Sequence, residues 1–170
     1  MTHLSNLTNI DTNELMLKIF SGILVNENQT KKIAEQISRV LDNGDIVLLK
    51  GNLGAGKTLF SKFMISSLFG DIEVTSPTYN LVKIYQAQNL CLWHCDFYRL
   101  KTSSECEELG VFDDLKDKIT IIEWPDIGKS FLKNNELEIN LNLYSPESNK
   151  RYVDIFGPQK WWNRLKNLNI

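Results

Sequence analysis

Short runs of apolar residues, separated by turn-forming residues, predict the strands of this chain. Positions 46–50 (IVLLK) and 119–122 (ITII) are apolar at nearly every residue, which is typical of strands that are covered on both faces. Positions 19–25 (IFSGILV) are also rich in apolar and β-branched residues and predict a further strand. Runs of this kind favour the buried sheet of an α/β fold.

Apolar residues at helical spacing follow two of these runs. At positions 33–41 they recur at intervals of three and four, and we expect this helix to be capped by Asn28 or Thr30 and to stop at Gly44. A second helical pattern at 59–68 directly follows a glycine-rich stretch and closes at the next glycine. Both helices would pack against the buried strands.

The second half of the chain predicts antiparallel hairpins. Positions 81–85 and 90–95 form one pair of strand-like runs, and 137–143 pairs with 152–156 through a polar turn. A short helix is predicted around Trp161. This order predicts an α/β fold with a mixed, mainly parallel central sheet that is flanked by helices and joined to antiparallel hairpins.

Length and composition limit the class of protein. A chain of 170 residues with 42 % hydrophobic and 24 % charged residues is typical of one globular domain and excludes a disordered or fibrous chain. We predict a single domain over residues 1–170, with residues 1–18 as a loosely ordered N-terminal extension. The net charge of -2 argues against nucleic-acid binding through a broad basic face.

Two further patterns concern the compartment. No apolar run approaches the length of a membrane span, and charged residues interrupt the first 25 positions, so we expect a cytoplasmic protein. Cys91, Cys95 and Cys106 are too few for a disulfide framework. They could be drawn with His94 as a zinc site, but the CxxC pair of such sites is missing and reduced thiols are favoured.

Positions 51–58 read GNLGAGKT, a full match to the phosphate-binding pattern GxxxxGK[ST]. Glycines let consecutive backbone N–H groups turn inward around phosphate oxygens, and the following helix adds the positive end of its dipole. Lys57 would reach the β- and γ-phosphates, and Thr58 would place its hydroxyl on Mg²⁺. The residues predicted to bind a nucleoside triphosphate are Asn52, Leu53, Gly54, Ala55, Gly56, Lys57, Thr58 and Leu59.

Two acids at the ends of predicted strands are candidates for the metal side of this site. Glu123 closes an apolar strand, as the second acid of a P-loop site does, and Asp96 closes the strand-like run LCLWHC. From the pattern alone, Asp96 is equally well a solvated strand-end acid, and His94 is more often a structural histidine. Arg99 could contact phosphate or pair with an acid. Positions 76–78 lie where a switch-like segment with hydroxyls could sense γ-phosphate or Mg²⁺, but from the pattern alone a plain proline turn is the simpler interpretation.

Four segments, in this order and at these separations, carry a family resemblance: GNLGAGKT, SPTYNLVKIY, HCDFYRL and IIEWPD. They resemble the TsaE family (also called YjeE), small bacterial P-loop ATPases needed for the threonylcarbamoyl-adenosine modification of tRNA. The resemblance covers nearly the whole chain, and SPT, HxDxYRL and EWP are not general P-loop features. It implies a P-loop NTPase-like domain with ATP and Mg²⁺ as its cofactors.

The resemblance also implies roles for individual residues. Lys57, Asp96 and Glu123 would be catalytic, and Thr58 and Glu123 would bind Mg²⁺. Further positions that the resemblance places around the site are Ser76, Thr78, His94, Tyr98, Arg99 and Trp124. This implication makes Asp96 a functional acid rather than a solvated one.

Partners follow from the same resemblance. The resemblance implies that the chain works with TsaD and TsaB. Its ATPase cycle would support turnover of that modifying complex, and tRNA would be reached indirectly through it. Asn52 and Leu59 depart from the usual GDLGAGKTT, which has Asp and Thr at these positions. The replaced acid lies outside the phosphate nest, so we expect little loss of nucleotide binding.

Three other functions are compatible with a P-loop in a chain of this kind. A small-molecule kinase needs an arginine-bearing lid over the phosphates, but only Arg151 and Arg164 follow Glu123. A GTP switch usually carries an NKxD loop, which this sequence lacks. A nucleotide-binding assembly factor with little turnover of its own uses the same loop as an ATPase, so the sequence barely separates the two.

Overall fold

A computed structural model describes residues 15–145 and 148–169. Its strands are β1 (Leu17–Leu24), β2 (Ile46–Lys50), β3 (Val82–Ala87), β4 (Leu90–Asp96), β5 (Ile119–Glu123), β6 (Leu137–Leu143) and β7 (Arg151–Gly157). Its helices are α1 (Glu27–Ser38), α2 (Lys57–Phe69), α3 (Ser103–Glu108) and α4 (Gln159–Leu165), with 3₁₀ segments at Leu115–Asp117 and Pro125–Phe131.

The seven strands of the described residues form one sheet in the order β1-β7-β6-β2-β5-β4-β3. The pairings β6–β2, β2–β5 and β5–β4 are parallel, whereas the outer pairings β1–β7, β7–β6 and β4–β3 are antiparallel. The predicted mixed α/β fold with its antiparallel hairpins is confirmed. Because β2, β5 and β4 run in the same direction, their carboxyl ends meet at one edge, where Asp96 lies opposite Glu123.

Alternate residues of β2 explain why this strand lies in the middle of the sheet. Val47 and Leu49 belong to the core that α1, α2 and α4 cover, whereas Leu48 belongs to the core on the opposite face, under α3 and the second 3₁₀ segment. A strand buried on both faces needs apolar residues throughout, which is the pattern of IVLLK. This placement holds the loop that follows β2 in the centre of the carboxyl edge.

The predicted limits of α1 are wrong at both ends. Its N-cap is Asn26, whose side-chain oxygen accepts a hydrogen bond of 3.0 Å from the backbone N–H of Gln29. Asn28 and Thr30 lie inside the first turns instead. The helix ends at Ser38 rather than at Gly44, which has φ +94° in the turn before β2.

Two other predictions, a loosely ordered N-terminal extension and reduced cysteine thiols, can be compared with the described residues. Residues 17 and 18, predicted to be loosely ordered, belong to β1, and residues 1–14 lie outside the described part. Burial raises the pKa of the Cys95 thiol and that of Cys106.

In the described ranges, no group of three His, Cys, Asp or Glu side chains could hold a metal ion. Nor does any helix there have the length and apolar character to span a membrane.

Candidate active site

The loop between β2 and α2 makes a sharp turn at glycines that have a positive φ. Gly51, Gly54 and Gly56 have φ +134°, +77° and +103°. A Cβ on Gly51 would lie 1.9 Å from the carbonyl oxygen of Leu141, so only glycine fits there. Because α2 begins immediately after Gly56, the N–H groups of its first turn have no partner within the helix and can receive an anion.

Lys57, the first residue of α2, is almost completely buried at 5 % exposure. Its Nζ donates hydrogen bonds to the carbonyl oxygens of Gly51 (2.7 Å) and Asn52 (2.9 Å) and lies 3.7 Å from the centre of the Trp124 ring. Burial lowers the pKa of Lys57, while the nearby Glu123 and Asp96 carboxylates act in the opposite direction. The ammonium is thus held by dipoles and an aromatic face, beside a site where a phosphate would supply an anionic partner.

Glu123, at the end of β5, is the most densely bonded acid of the site. Its Oε2 accepts a hydrogen bond of 2.8 Å from the Thr58 hydroxyl. The single hydrogen of the Ser61 hydroxyl has two acceptors within reach, Oε1 of Glu123 at 3.2 Å and the carbonyl oxygen of Lys57 at 3.1 Å. His94 Nε2 lies 2.8 Å from the same Oε1. The carboxylate is 1 % exposed, so these contacts supply the hydrogen bonds that buried polar atoms require.

Asp96, at the end of β4, binds the segment that follows α2. Its Oδ2 accepts a hydrogen bond of 2.5 Å from the Thr78 hydroxyl, and its Oδ1 accepts one of 2.9 Å from the backbone N–H of Tyr98. The Ser76 and Thr78 hydroxyls are 2.7 Å apart. The proline segment 76–78 is therefore connected to an acid of the site, which the sequence pattern alone did not indicate.

Aromatic residues complete one wall of the site. Trp124 has a left-handed backbone with φ +57°, a conformation that costs energy in a bulky residue and places its indole over Lys57. The ring of Tyr98 lies 4.9 Å from that of Trp124. These side chains border a cavity of about 330 Å³, lined by Leu53, Gly54, Gly56, Lys57, Thr58, Leu59, Thr78, Asp96, Tyr98, Glu123 and Trp124.

The other predicted site residues lie around this cavity rather than on its wall. His94 is buried behind Glu123, and Ser76 contacts Thr78. Asn52 contributes its carbonyl oxygen to Lys57. Arg99 is exposed, with its guanidinium 5.6 Å from the Tyr79 ring, and is not among the lining residues. Ala55, the remaining loop residue, lines a second cavity on the other side of Gly56.

Most of this chain matches the model of a known protein family. A family model described as "Threonylcarbamoyl adenosine biosynthesis protein TsaE" matches residues 24–153, well over half of the chain. The chain belongs to the TsaE family. The resemblance drawn from the four sequence segments is confirmed, and with it the family's role in the biosynthesis of threonylcarbamoyladenosine in tRNA.

Individual relatives of this TsaE-family chain carry the same description, and a solved structure has a similar fold. It is 41 % identical over 134 residues to the tRNA threonylcarbamoyladenosine biosynthesis protein TsaE of Rickettsia felis, covering 78 % of this chain and 77 % of the relative. It is 34 % identical over 116 residues to the protein of that description from Bacillus subtilis, covering 68 % and 72 %. The crystal structure of Bacillus subtilis YdiB matches with a TM-score of 0.69 at 24 % identity, over 91 % of this chain and 93 % of that one, and supports the fold.

The sequence interpretation of this TsaE-family site missed one contact to the phosphate loop. Arg151, at the start of β7, donates from Nε to the carbonyl oxygen of Ala55 at 3.0 Å and from Nη1 to the carbonyl oxygens of Ser148 (3.1 Å) and Lys150 (3.0 Å). The guanidinium therefore joins the β6–β7 hairpin to the loop. The scarcity of arginine, four residues in all, was the only signal, because a contact across 96 residues leaves no local pattern.

We expect Arg151→Gln to weaken nucleotide binding by about tenfold, since the loss of one or two hydrogen bonds of about 1 kcal/mol each would let the loop relax. Calorimetric titration with an ATP analogue measures the change. Lys150→Gln is the matched control, because Lys150 is an exposed neighbour whose side chain makes no hydrogen bond to the loop among the described residues. Equal affinities of the two variants would contradict a role for Arg151 in holding the loop.

Proposed function

We propose that this TsaE-family chain is an ATPase that binds ATP with Mg²⁺ and hydrolyses it in support of tRNA threonylcarbamoyladenosine formation. The observation that carries the proposal is the juxtaposition of the Thr58 hydroxyl and the Glu123 carboxylate, 2.8 Å apart, beside the buried Lys57. A loop of backbone N–H groups, a lysine, a hydroxyl and a strand-end acid are the parts that P-loop NTPases use on a nucleoside triphosphate.

Two adjoining cavities suit the two ends of a nucleotide. The phosphates would lie in the cavity lined by Lys57 and Thr58. A second cavity of about 310 Å³ lies beyond Gly56 and Leu59, which line both. Its walls come from the start of α1, from β6 and from Arg151, and its size suits a nucleoside. A ligand extending across Gly56 would therefore place its phosphates on the loop and its base against α1.

The donor atoms at the Thr58–Glu123 pair fit Mg²⁺. Both are hard oxygen donors, and Mg²⁺ in phosphoryl-transfer sites is bound through one or two protein groups together with the phosphates. Since no described group of three ligating side chains exists, the nucleotide would have to supply the other ligands. When bound, Mg²⁺ would offset the negative charge of the phosphate oxygens.

In this proposal Asp96, rather than Glu123, would orient an attacking water. Asp96 is 3 % exposed, and hydrogen bonds from the Thr78 hydroxyl and from the Tyr98 backbone N–H fix the direction of its carboxylate. A carboxylate on the cavity wall can accept a hydrogen bond from water. Thr78 would transmit any displacement of segment 76–78 directly to this carboxylate.

The arginines after Glu123 support hydrolysis rather than transfer to a small molecule. Arg151 binds loop and hairpin carbonyls, and Arg164 pairs with Asp42 (3.1 Å) and Asp45 (2.9 Å) on the far side of the fold. Neither is placed in a lid over the phosphates, which a kinase needs to exclude water from the transferred group.

Exposed side chains beside the site support a partner that completes it. Leu53, Tyr79 and Tyr98 are 71 %, 87 % and 52 % exposed, and two of them line the phosphate cavity. Apolar exposure next to an open site is typical of an interaction surface. We propose that TsaD and TsaB dock here, that they supply the missing lid, and that tRNA is reached only through their complex.

The experiment that tests this function is phosphate release with and without the TsaD–TsaB pair, followed by calorimetry of the pair against this chain. We expect slow release alone, faster release with the pair, and tighter association with an ATP analogue than with ADP or no nucleotide. Equal association in all three states would show that nucleotide does not control assembly. Absence of ATP binding at any Mg²⁺ concentration would overturn the ATPase itself.

A further inference from the structure

The two oxygens of the Glu123 carboxylate have different surroundings. Among the residues that the structure describes, Oε2 has one partner, the hydroxyl of Thr58, which lies on the cavity wall. Within the same residues, Oε1 has two partners, Ser61 and His94, and both of these side chains are fully buried at 0 % exposure. One oxygen is thus available to a ligand in the cavity, and the other is held inside the protein.

The fold brings the two inner partners together from different elements. Ser61 lies one helical turn after Thr58 on α2, so both hydroxyls face β5. His94 lies on β4, the parallel neighbour of β5. Because the donors approach Oε1 from a helix and from a strand, the carboxylate cannot rotate about its last bond without breaking at least one of these hydrogen bonds.

The two nitrogens of the His94 ring have different surroundings. Nε2 lies 2.8 Å from Oε1 of Glu123, and an ionised carboxylate can only accept, so against it Nε2 is the donor. Nδ1 is buried without a hydrogen-bond partner among the residues that the structure describes. An unpaired buried nitrogen costs stability, so packing alone gives no reason for a histidine here, whereas the bond to Glu123 does.

We propose that Ser61 and His94 are positioning residues of the metal site, a proposal that rests on the Mg²⁺-dependent ATP binding proposed above. They would hold Oε1 so that Oε2 stays directed at the cavity, where Glu123 and Thr58 would bind Mg²⁺. Without them, the carboxylate would rotate with Thr58 or toward other donors, and the metal would meet a displaced ligand. Outer partners of metal-binding carboxylates commonly change metal affinity by about 10- to 100-fold.

The test compares His94→Leu and Ser61→Ala with His94→Gln, which can keep an N–H donor near the position of Nε2. The affinity for a non-hydrolysable ATP analogue is titrated by calorimetry across Mg²⁺ concentrations and again in EDTA. We expect the first two variants to need about tenfold more Mg²⁺ for half-maximal affinity, with affinity in EDTA unchanged, and His94→Gln to lie nearer the wild type. Urea unfolding establishes that each variant is folded.

Each other outcome is decisive. Folded variants with a wild-type Mg²⁺ requirement would overturn the positioning role, as would an equal loss of affinity with and without Mg²⁺, which indicates a merely structural role. If His94→Leu does not fold, Ser61→Ala, which removes a single hydroxyl, decides the question. Wild-type protein that binds no analogue under any condition would instead overturn the proposed function and this inference with it.

Discussion

The Lys57→Ala protein is expected to fold and to bind ATP about a hundredfold more weakly than the wild type. The Lys57 ammonium would lose its charge-assisted hydrogen bonds to the phosphates, which are worth about 1.5–3 kcal/mol. The loop would also lose the bonds from Nζ to Gly51 and Asn52 that hold its entrance. The fold should survive, because removal of a buried, desolvated cation offsets part of the lost bonding.

Calorimetric titration of ATP into each protein measures this loss, and urea unfolding checks the fold. Lys62→Ala is the matched control, since Lys62 lies on the same helix but is exposed to solvent. We expect its affinity to equal that of the wild type. A folded Lys57→Ala protein with unchanged ATP affinity would contradict the role assigned to the whole phosphate loop.

The Glu123→Gln protein is expected to bind ATP in EDTA as the wild type does and to hydrolyse it about 100- to 1,000-fold more slowly with Mg²⁺ and partners present. The amide keeps the shape of the side chain but removes the charge that the metal needs. The neighbouring Thr58 and Ser61 hydroxyls can rotate to accept hydrogen bonds from an amide, so folding should be retained.

Phosphate release with the TsaD–TsaB pair measures this effect, alongside calorimetry with Mg²⁺ and with EDTA. Asp126→Asn is the matched control, because it removes a nearby but exposed acid in the 3₁₀ segment after β5. Its turnover should equal that of the wild type. Wild-type turnover of Glu123→Gln would remove this acid from the proposed metal site.

Elements that short local sequence patterns specify were predicted closely. The limits of β2 match the IVLLK run residue for residue, and α2 closes at Gly70 as the helical pattern indicated. A buried strand needs continuous apolar residues, and a helix end favours glycine, so both signals are local. The cap of α1 was misplaced because Asn26, Asn28 and Thr30 are all good capping residues. Which of them caps the helix depends on where β1 ends.

The sequence by itself determined the phosphate loop, the predicted strand ends that deliver Asp96 and Glu123, and the family. What only the tertiary structure decided is which atoms meet: Ser61 and His94 at one oxygen of Glu123, and Thr78 at Asp96. Loop and strand signals depend on neighbours in the chain, so a single sequence carries them. Hydrogen bonds between α2, β4 and β5 depend on sheet order and on the rotation of a helix against it, which no local pattern specifies.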